Sequence, residues 1–465
     1  MNIYILTEEK PKISVIRQLF DIYKSDFHGS YTISGQVLVM PFFKDDYFDF
    51  AYELLGIKVE GIDRIILKTV SGSSSFMDFL FFICEDAPLQ NDGNLPLFAV
   101  EETKTSGAES RNTNAYQRGT KFIYFSHYYP DVPKYMLYND ELEENEDKTP
   151  TDTEVFGTRA LLTLGVKYVG KKMFDDYTPF TSVDELVDSK NAMAIPPSPS
   201  NVPVRIKKAR NVIQISGILS KPANKGNIAH DPNIGALSVI SAALRKLGWE
   251  KDIVITRHGV SQEYLNNSRG RNKFLYICSM LNIKLQRLRM PVAAPFPPGY
   301  WHYEMSSEKL ASILLHIVAE DAGFKEVYQN HAGCERGYFR SPTNELIALP
   351  KKTPDGNILL IPDLVFNDEF DKVIYVIEGK KLSTLNLGLE EIQDYDDIEN
   401  LYIRKHYPKH KIKRAITIFG GNLHDIPDEN VLVYLRQDGK TMINDNDKII
   451  QKIFDDCENL KNKIN

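Results

Sequence analysis

Ile361-Pro-Asp-Leu-Val-Phe-Asn-Asp-Glu-Phe-Asp-Lys-Val-Ile-Tyr-Val-Ile-Glu-Gly-Lys380 decides how this 465-residue chain is read. Residues 359–366 are apolar and rich in β-formers, broken by Pro362-Asp363. Residues 367–372 are polar turn material. Residues 373–377 are a second apolar run, ending in Glu378-Gly379-Lys380. The pattern predicts a strand, an acidic turn and a returning strand. Side chains alternate along a strand, so Glu378 and Lys380 share one side, and the hairpin brings Asp363 back beside them. Two carboxylates and an ammonium then converge at the end of an apolar sheet, which is costly unless they bind something. Two hard oxygen ligands suit Mg²⁺, which keeps waters and accepts a phosphate oxygen. The lysine can orient or deprotonate an attacking water, or meet charge developing on phosphorus.

Pro362-Asp363, fourteen residues, then Glu378-Gly379-Lys380 resembles the metal-binding signature of the PD-(D/E)XK nuclease superfamily. The resemblance covers the motif and its strand–turn–strand setting. It implies Mg²⁺-dependent phosphodiester hydrolysis, with Mn²⁺ able to substitute, Asp363 and Glu378 as metal ligands, and Lys380 beside the water. The flanking order fits that core. An amphipathic helix over 308–322 is capped by Ser306/Ser307, with Leu310, Ile313, Leu314 and Ile317 on its apolar face. A variable stretch over 326–350 separates it from the motif. An acidic helix over 389–402, strands over 414–419 and 431–435 and a closing helix over 447–460 follow.

The motif recurs near the N-terminus. Phe76-Met-Asp78-Phe-Leu-Phe-Phe-Ile83 reads as a strand carrying one carboxylate, and Leu97-Phe-Ala-Val-Glu-Glu102-Thr-Lys104 as a second strand ending in E-x-K. Val100, Glu102 and Lys104 share one side, and Glu101 and Thr103 the other. Asp78, Glu102 and Lys104 are therefore expected to form a second trio, with Asp78 and Glu102 as metal ligands. Asp86 and Asp92 stay open as alternatives to Asp78. A helix around 115–118 and a strand over 122–125 are expected next. Earlier, 3–6 reads as a strand, 13–23 as a helix and 48–55 as a helix.

Net charge is −7, but it is strongly divided: −12 over residues 1–200, +12 over 201–300 and −7 over 301–465. A +12 block between acidic blocks points to a phosphate backbone. Arg205, Lys207 and Lys208 lead into a strand, Arg257, His258 and Gln262 follow another, and Arg269, Arg271 and Lys273 open a helix. Such residues grip phosphates and read base edges, so these nine are the candidate DNA-binding set for double-stranded DNA. Arg257-His258-Gly259 after a strand also resembles histidine phosphatases, but the second histidine and acid that family needs have no counterpart here.

The acidic segment 139–152 and the Pro/Ser-rich stretches 194–203 and 290–299 read as boundaries. They define an N-terminal nuclease-like domain (1–150), a central basic recognition region (151–300) and a C-terminal nuclease domain (301–465). The fold class expected is mixed α+β (α/β), with a restriction-endonuclease-like core at the C-terminus and a second at the N-terminus. Four scattered cysteines without a C-x-x-C argue against a zinc framework or disulfides and fit the cytoplasm. The chain starts in a strand with no signal-peptide pattern, and no apolar run reaches membrane-span length. Neither a phosphate-loop nor a methyltransferase signature is present. A type II restriction endonuclease is therefore the reading, and any protecting methyltransferase would be a separate protein. Two active trios would let a monomer cut both strands of an asymmetric site, whereas one would require a homodimer. A repair or defence nuclease of looser specificity and a non-catalytic DNA-binding protein are the alternatives.

Overall fold

A computed structural model describes residues 1–45, 47–72, 76–90, 92–103, 108–138, 150–193, 205–216, 232–267, 273–290, 296–331 and 337–464. The fold is mixed α+β, with several sheets. The chain divides into two compact units, each discontinuous: residues 1–71, 83–87 and 303–465 form one, and residues 72–82 and 88–302 the other. The sequence boundaries near 150 and 300 thus give way to a division in which the first 71 residues belong with the C-terminal part. Among the described residues no helix is long and apolar enough to cross a membrane.

The first unit contains a six-stranded sheet. Its order is Lys325–Gln329, Leu364–Asp368, Val373–Lys381, Lys411–Phe419, Val431–Leu435 and Thr441–Ile443. Leu364–Asp368 is antiparallel to both of its neighbours. Val373–Lys381, Lys411–Phe419 and Val431–Leu435 run parallel. The central strands are apolar on both faces, as a covered parallel sheet requires. Ile374, Val376, Ile416, Ile418 and Val431 join one core cluster with Tyr395 and Ile398 from the connection over 382–410. That connection, expected as one acidic helix, is a series of short helical pieces that includes the helix Leu385–Glu391 and a π-turn over Glu399–Ile403. Arg414 ties it to the sheet, donating to Glu399 at 2.5 Å and to the carbonyls of Ile392 and Gln393.

The helix Lys309–Asp321 is buried along almost its whole length. Most of its inward residues are aliphatic, but Ser312 and His316 are buried as well. Glu308, Ser312, His316 and Glu320 recur at i+4 and so form one polar stripe. Ser312 Oγ meets Thr417 Oγ1 at 3.1 Å, and a Cβ on Gly379 would run into that same Ser312 oxygen and come within 3.0 Å of Asp363 Oδ2. Glycine between Glu378 and Lys380 is what lets helix and strand approach this closely.

The first unit also holds Asn2–Thr7, parallel to Arg64–Gly72, and a long hairpin of Tyr31–Lys44 and Tyr47–Val59. Residues 48–55 are thus strand rather than the expected helix. Their aromatic content suits a pleated surface, and Phe48 and Tyr52 are buried with ring centroids 5.2 Å apart.

In the second unit Phe79, Leu80 and Phe81 pair antiparallel with Val100, Ala99 and Phe98 of the strand Phe98–Thr103. The helix Ala108–Tyr128 then crosses to Lys134–Tyr138, parallel to Phe98–Thr103, and the helix Asp152–Thr163 leads to Val166–Val169, also parallel. The strand expected over 122–125 is the last part of that first helix. Phe122 and Phe125 fall on its buried side at i+3, a spacing that a short apolar run does not distinguish from a strand. A four-stranded sheet repeats the plan: Arg205–Ala209 is antiparallel to Val212–Ser216, and Asp252–Thr256 and Ile283–Leu285 follow in parallel. Its two hairpin strands carry no carboxylate.

Gly379→Ala is expected to cost about 1–3 kcal/mol through overpacking, measured by urea unfolding. Ser312→Ala in the same chain, which removes the obstructing oxygen, should recover part of the loss.

Candidate active site and metal centres

Register sets the site in the first unit. Leu364 pairs with Ile377, so one rung further Asp363 stands opposite Glu378. Asp363 Oδ2 accepts from the Gly379 N–H at 2.9 Å. Glu378 Oε1 accepts from Lys380 Nζ at 2.6 Å, and its second oxygen from the Tyr395 hydroxyl. Lys380 also reaches Glu391 Oε2 at 2.7 Å. Gly388 keeps room for the lysine stem: a Cβ there would lie 2.6 Å from Lys380 Cγ. The sequence-expected trio Asp363, Glu378 and Lys380 therefore lies together at the end of the sheet, joined by Tyr395 and Glu391 from the following connection.

The electrostatics are those of an under-neutralised acid pair. Burial, then the neighbouring Glu378, raise the Asp363 carboxyl to about 8, and Glu308 adds in the same direction. Burial likewise raises Glu378, against its bonds from Lys380 and Tyr395. Lys380 is held above its ordinary value: burial opposes this, but the bonds to Glu378 and Glu391 prevail, so its amine carries its proton. Asp363, Glu378 and Glu391 thus share one ammonium. Acids that retain protons for want of countercharge are suited to trade them for a hard cation. The oxygens of Asp363 and Glu378 fit Mg²⁺ or Mn²⁺ by type.

The second unit has the same hairpin geometry with one shift. Phe79 pairs with Val100, which sets Asp78 opposite Glu101, and Asp78 Oδ2 accepts from the Glu102 N–H at 2.7 Å. By both criteria Glu101, not Glu102, occupies the place that Glu378 holds, and Thr103 the place of Lys380. Lys104 lies outside the described residues. The positive charge comes instead from the crossover helix. Arg118 donates to Glu101 at 2.6 Å, and Lys121 Nζ lies 2.8 Å from Glu101 Oε2 and 3.5 Å from Asp78 Oδ1. Glu101 is 0 % exposed. Burial, then Asp78, raise it to about 7, against Lys121 and Arg118. Two carboxylates here face two cations. Asp92 closes its own turn, accepting from Leu89 and Asn94, while Asp86 falls in the other unit.

No family model, curated protein or solved structure matches the chain. What can be said about function therefore rests on side-chain geometry.

A third cluster was not anticipated. His316, Glu320 and Glu326 each present a ligand atom within 4.8 Å of the others, and the group can hold a divalent metal ion. His316-x-x-x-Glu320, polar at i+4 on an otherwise apolar helix, was its sequence signal.

The basic residues are dispersed in role. Lys207 and Lys208 are exposed, with Lys208 paired to Asp184. Arg205 caps the carbonyls of Asn191 and Met193. His258 is buried and uses both ring nitrogens internally: Nδ1 accepts from the Val260 N–H at 3.0 Å, and Nε2 meets the Gln286 carbonyl at 3.1 Å. Gln262 brackets the backbone of Arg289 through both ends of its amide. Arg257 sits in the left-handed region at φ 53°. Arg269 and Arg271 lie outside the described residues, and Lys273 begins the helix Lys273–Met280.

In metal-free protein Asp363 favours the folded state fully below the unfolded value of 3.8, and that contribution is lost as pH rises towards about 8. Asp363→Asn should therefore flatten the fall of stability with pH across this window in urea titrations with chelator, and Mg²⁺ should flatten it in the wild type. An unchanged slope in both would exclude an under-neutralised pair.

Proposed function

We propose that the chain is a Mg²⁺-dependent endodeoxyribonuclease of the type II restriction class, with a PD-(D/E)XK-like centre at Asp363, Glu378 and Lys380. One observation carries the reading: a carboxylate lies opposite Glu378-x-Lys380 across an antiparallel rung, after a buried helix and before a crossover to a parallel strand. That element order is the one the sequence resemblance implies. A bound Mg²⁺ would supply electrophilic charge at the phosphorus and lower the pKa of a coordinated water. Asp363 and Glu378 would hold it. Lys380, kept protonated by Glu378 and Glu391, would orient the attacking water and meet negative charge as its oxygen bonds to phosphorus, its proton passes to solvent, and the bridging P–O bond breaks with the leaving oxygen taking a proton from solvent. Tyr395 fixes the Glu378 carboxylate from its other side. The exposed Lys207 and Lys208, within the +12 stretch of sequence, supply a docking face for the phosphate backbone.

The two hairpin sites differ in charge balance. Asp78 and Glu101 face two cations, Arg118 and Lys121, which leaves less for a metal to compensate than at Asp363 and Glu378, although burial still raises Glu101. The proposal is therefore one catalytic centre per chain, with two copies meeting to break both strands. Were the second site active, its residues would be Asp78, Glu101 and Lys121.

Incubation of supercoiled plasmids of varied sequence with Mg²⁺ tests this. Wild type should linearise those that carry its site, chelator should abolish the reaction, and Lys380→Ala should slow it by on the order of 10²–10³. Intact plasmids throughout, or full activity in Lys380→Ala, would defeat the reading.

A further inference from the structure

The buried polar stripe of the helix Lys309–Asp321 leads to a site distinct from the nuclease centre. His316 is 1 % exposed, yet its Nε2 makes no hydrogen bond. It lies 3.3 Å from Glu326 Oε2 and 3.6 Å from Glu320 Oε1. Those separations match the edge of a ligand tetrahedron, about 3.4 Å for metal–ligand bonds near 2.1 Å. The other ring nitrogen, Nδ1, meets His331 Nε2 at 2.9 Å. If Nδ1 carries the proton and His331 accepts it, Nε2 turns a bare lone pair towards two carboxylates, an arrangement that a cation between them would satisfy.

The surroundings have the character of an outer shell. Lys10 pairs with Glu320 Oε2, which leaves Oε1 directed at His316. A β-bulge between Glu326 and Tyr328 interrupts the ladder with Leu364–Asp368, where bulges re-aim side chains. Solvent reaches the group from the Glu320 side, whose side chain is 32 % exposed, so a water can take a fourth position.

We infer that His316, Glu320 and Glu326 form a tetrahedral site for a zinc-class first-row cation, with His331 and Lys10 orienting the ligands. Imidazole with two carboxylates, at this spacing, favours such an ion over Mg²⁺, which demands octahedral geometry and several waters. Bound there, the ion clamps the last turns of the helix to the edge strand that follows four residues later. The inference does not depend on the nuclease reading, since it concerns different ligands and a different metal.

Co²⁺ is the probe. Full-length protein stripped with chelator should take up one Co²⁺ with the intense visible bands of tetrahedral coordination. Zn²⁺ should displace it and excess Mg²⁺ should not, and Zn²⁺ should raise the thermal midpoint by several degrees. The bands should vanish in Glu326→Gln and His316→Gln and persist in Asp363→Asn. Should the His316 variant fail to fold by circular dichroism, Glu320→Gln, at the more exposed ligand, gives the same reading. Absence of tetrahedral bands in wild type, their survival in the Glu326 and Glu320 variants, or their loss in Asp363→Asn would overturn the assignment.

Discussion

Two acids on one antiparallel rung set the constraint on which the rest depends. Asp363 faces Glu378, and Asp78 faces Glu101, each at the end of an apolar hairpin where a lone charge is expensive. A carboxylate pair of this kind must be protonated, paired with cations or bound to a metal. The two hairpins resolve the demand differently. Around Asp78 and Glu101 the crossover helix sends down Arg118 and Lys121, so among the described residues two cations meet the two acids. Around Asp363 and Glu378 the connection contributes another acid, Glu391, and among the described residues Lys380 is the cation that bonds Glu378 and Glu391. The same topology thus yields one hairpin whose acids meet two cations from the crossover helix and another whose acids share one lysine among the described residues.

The helix Lys309–Asp321 connects this chemistry to packing. Its stripe of Glu308, Ser312, His316 and Glu320 touches the site at one end, through the approach of Ser312 to Gly379 and the field of Glu308 on Asp363. About one turn beyond Ser312, roughly 6 Å at 1.5 Å per residue, it carries the His316 cluster. A core helix with polar side chains facing inward is stable only if each finds a partner. Ser312 finds Thr417, and His316 finds His331 on one nitrogen only. In this His316 differs from His258, whose nitrogens are both engaged.

The C-terminal hairpin was legible in the sequence because its signals agree. Polar turn residues separate two β-rich runs, and E-x-K alternation puts both charges on one face. The strands 414–419 and 431–435 were read for the same reason. The N-terminal register was not legible: Glu101-Glu102-Thr103-Lys104 offers a carboxylate on each face, and only the pairing of Phe79 with Val100 shows which one meets Asp78. Lys121 lies seventeen residues beyond the E-x-K run, so no local pattern could name it as the charge partner. Residues 48–55 failed because Phe48, Ala51, Tyr52 and Leu55 also satisfy a helical period, which long-range pairing overrides. The His316 cluster was hidden because its third ligand arrives from a separate strand.

The claim that charge balance separates the two hairpins is tested most directly by counting hard-metal sites. Bound Mn²⁺ that Mg²⁺ displaces can be followed by electron paramagnetic resonance in wild type, Asp363→Asn and Asp78→Asn. The account expects affinity for that fraction to fall at least about tenfold in Asp363→Asn and to stay unchanged in Asp78→Asn. Loss in Asp78→Asn with retention in Asp363→Asn would contradict it.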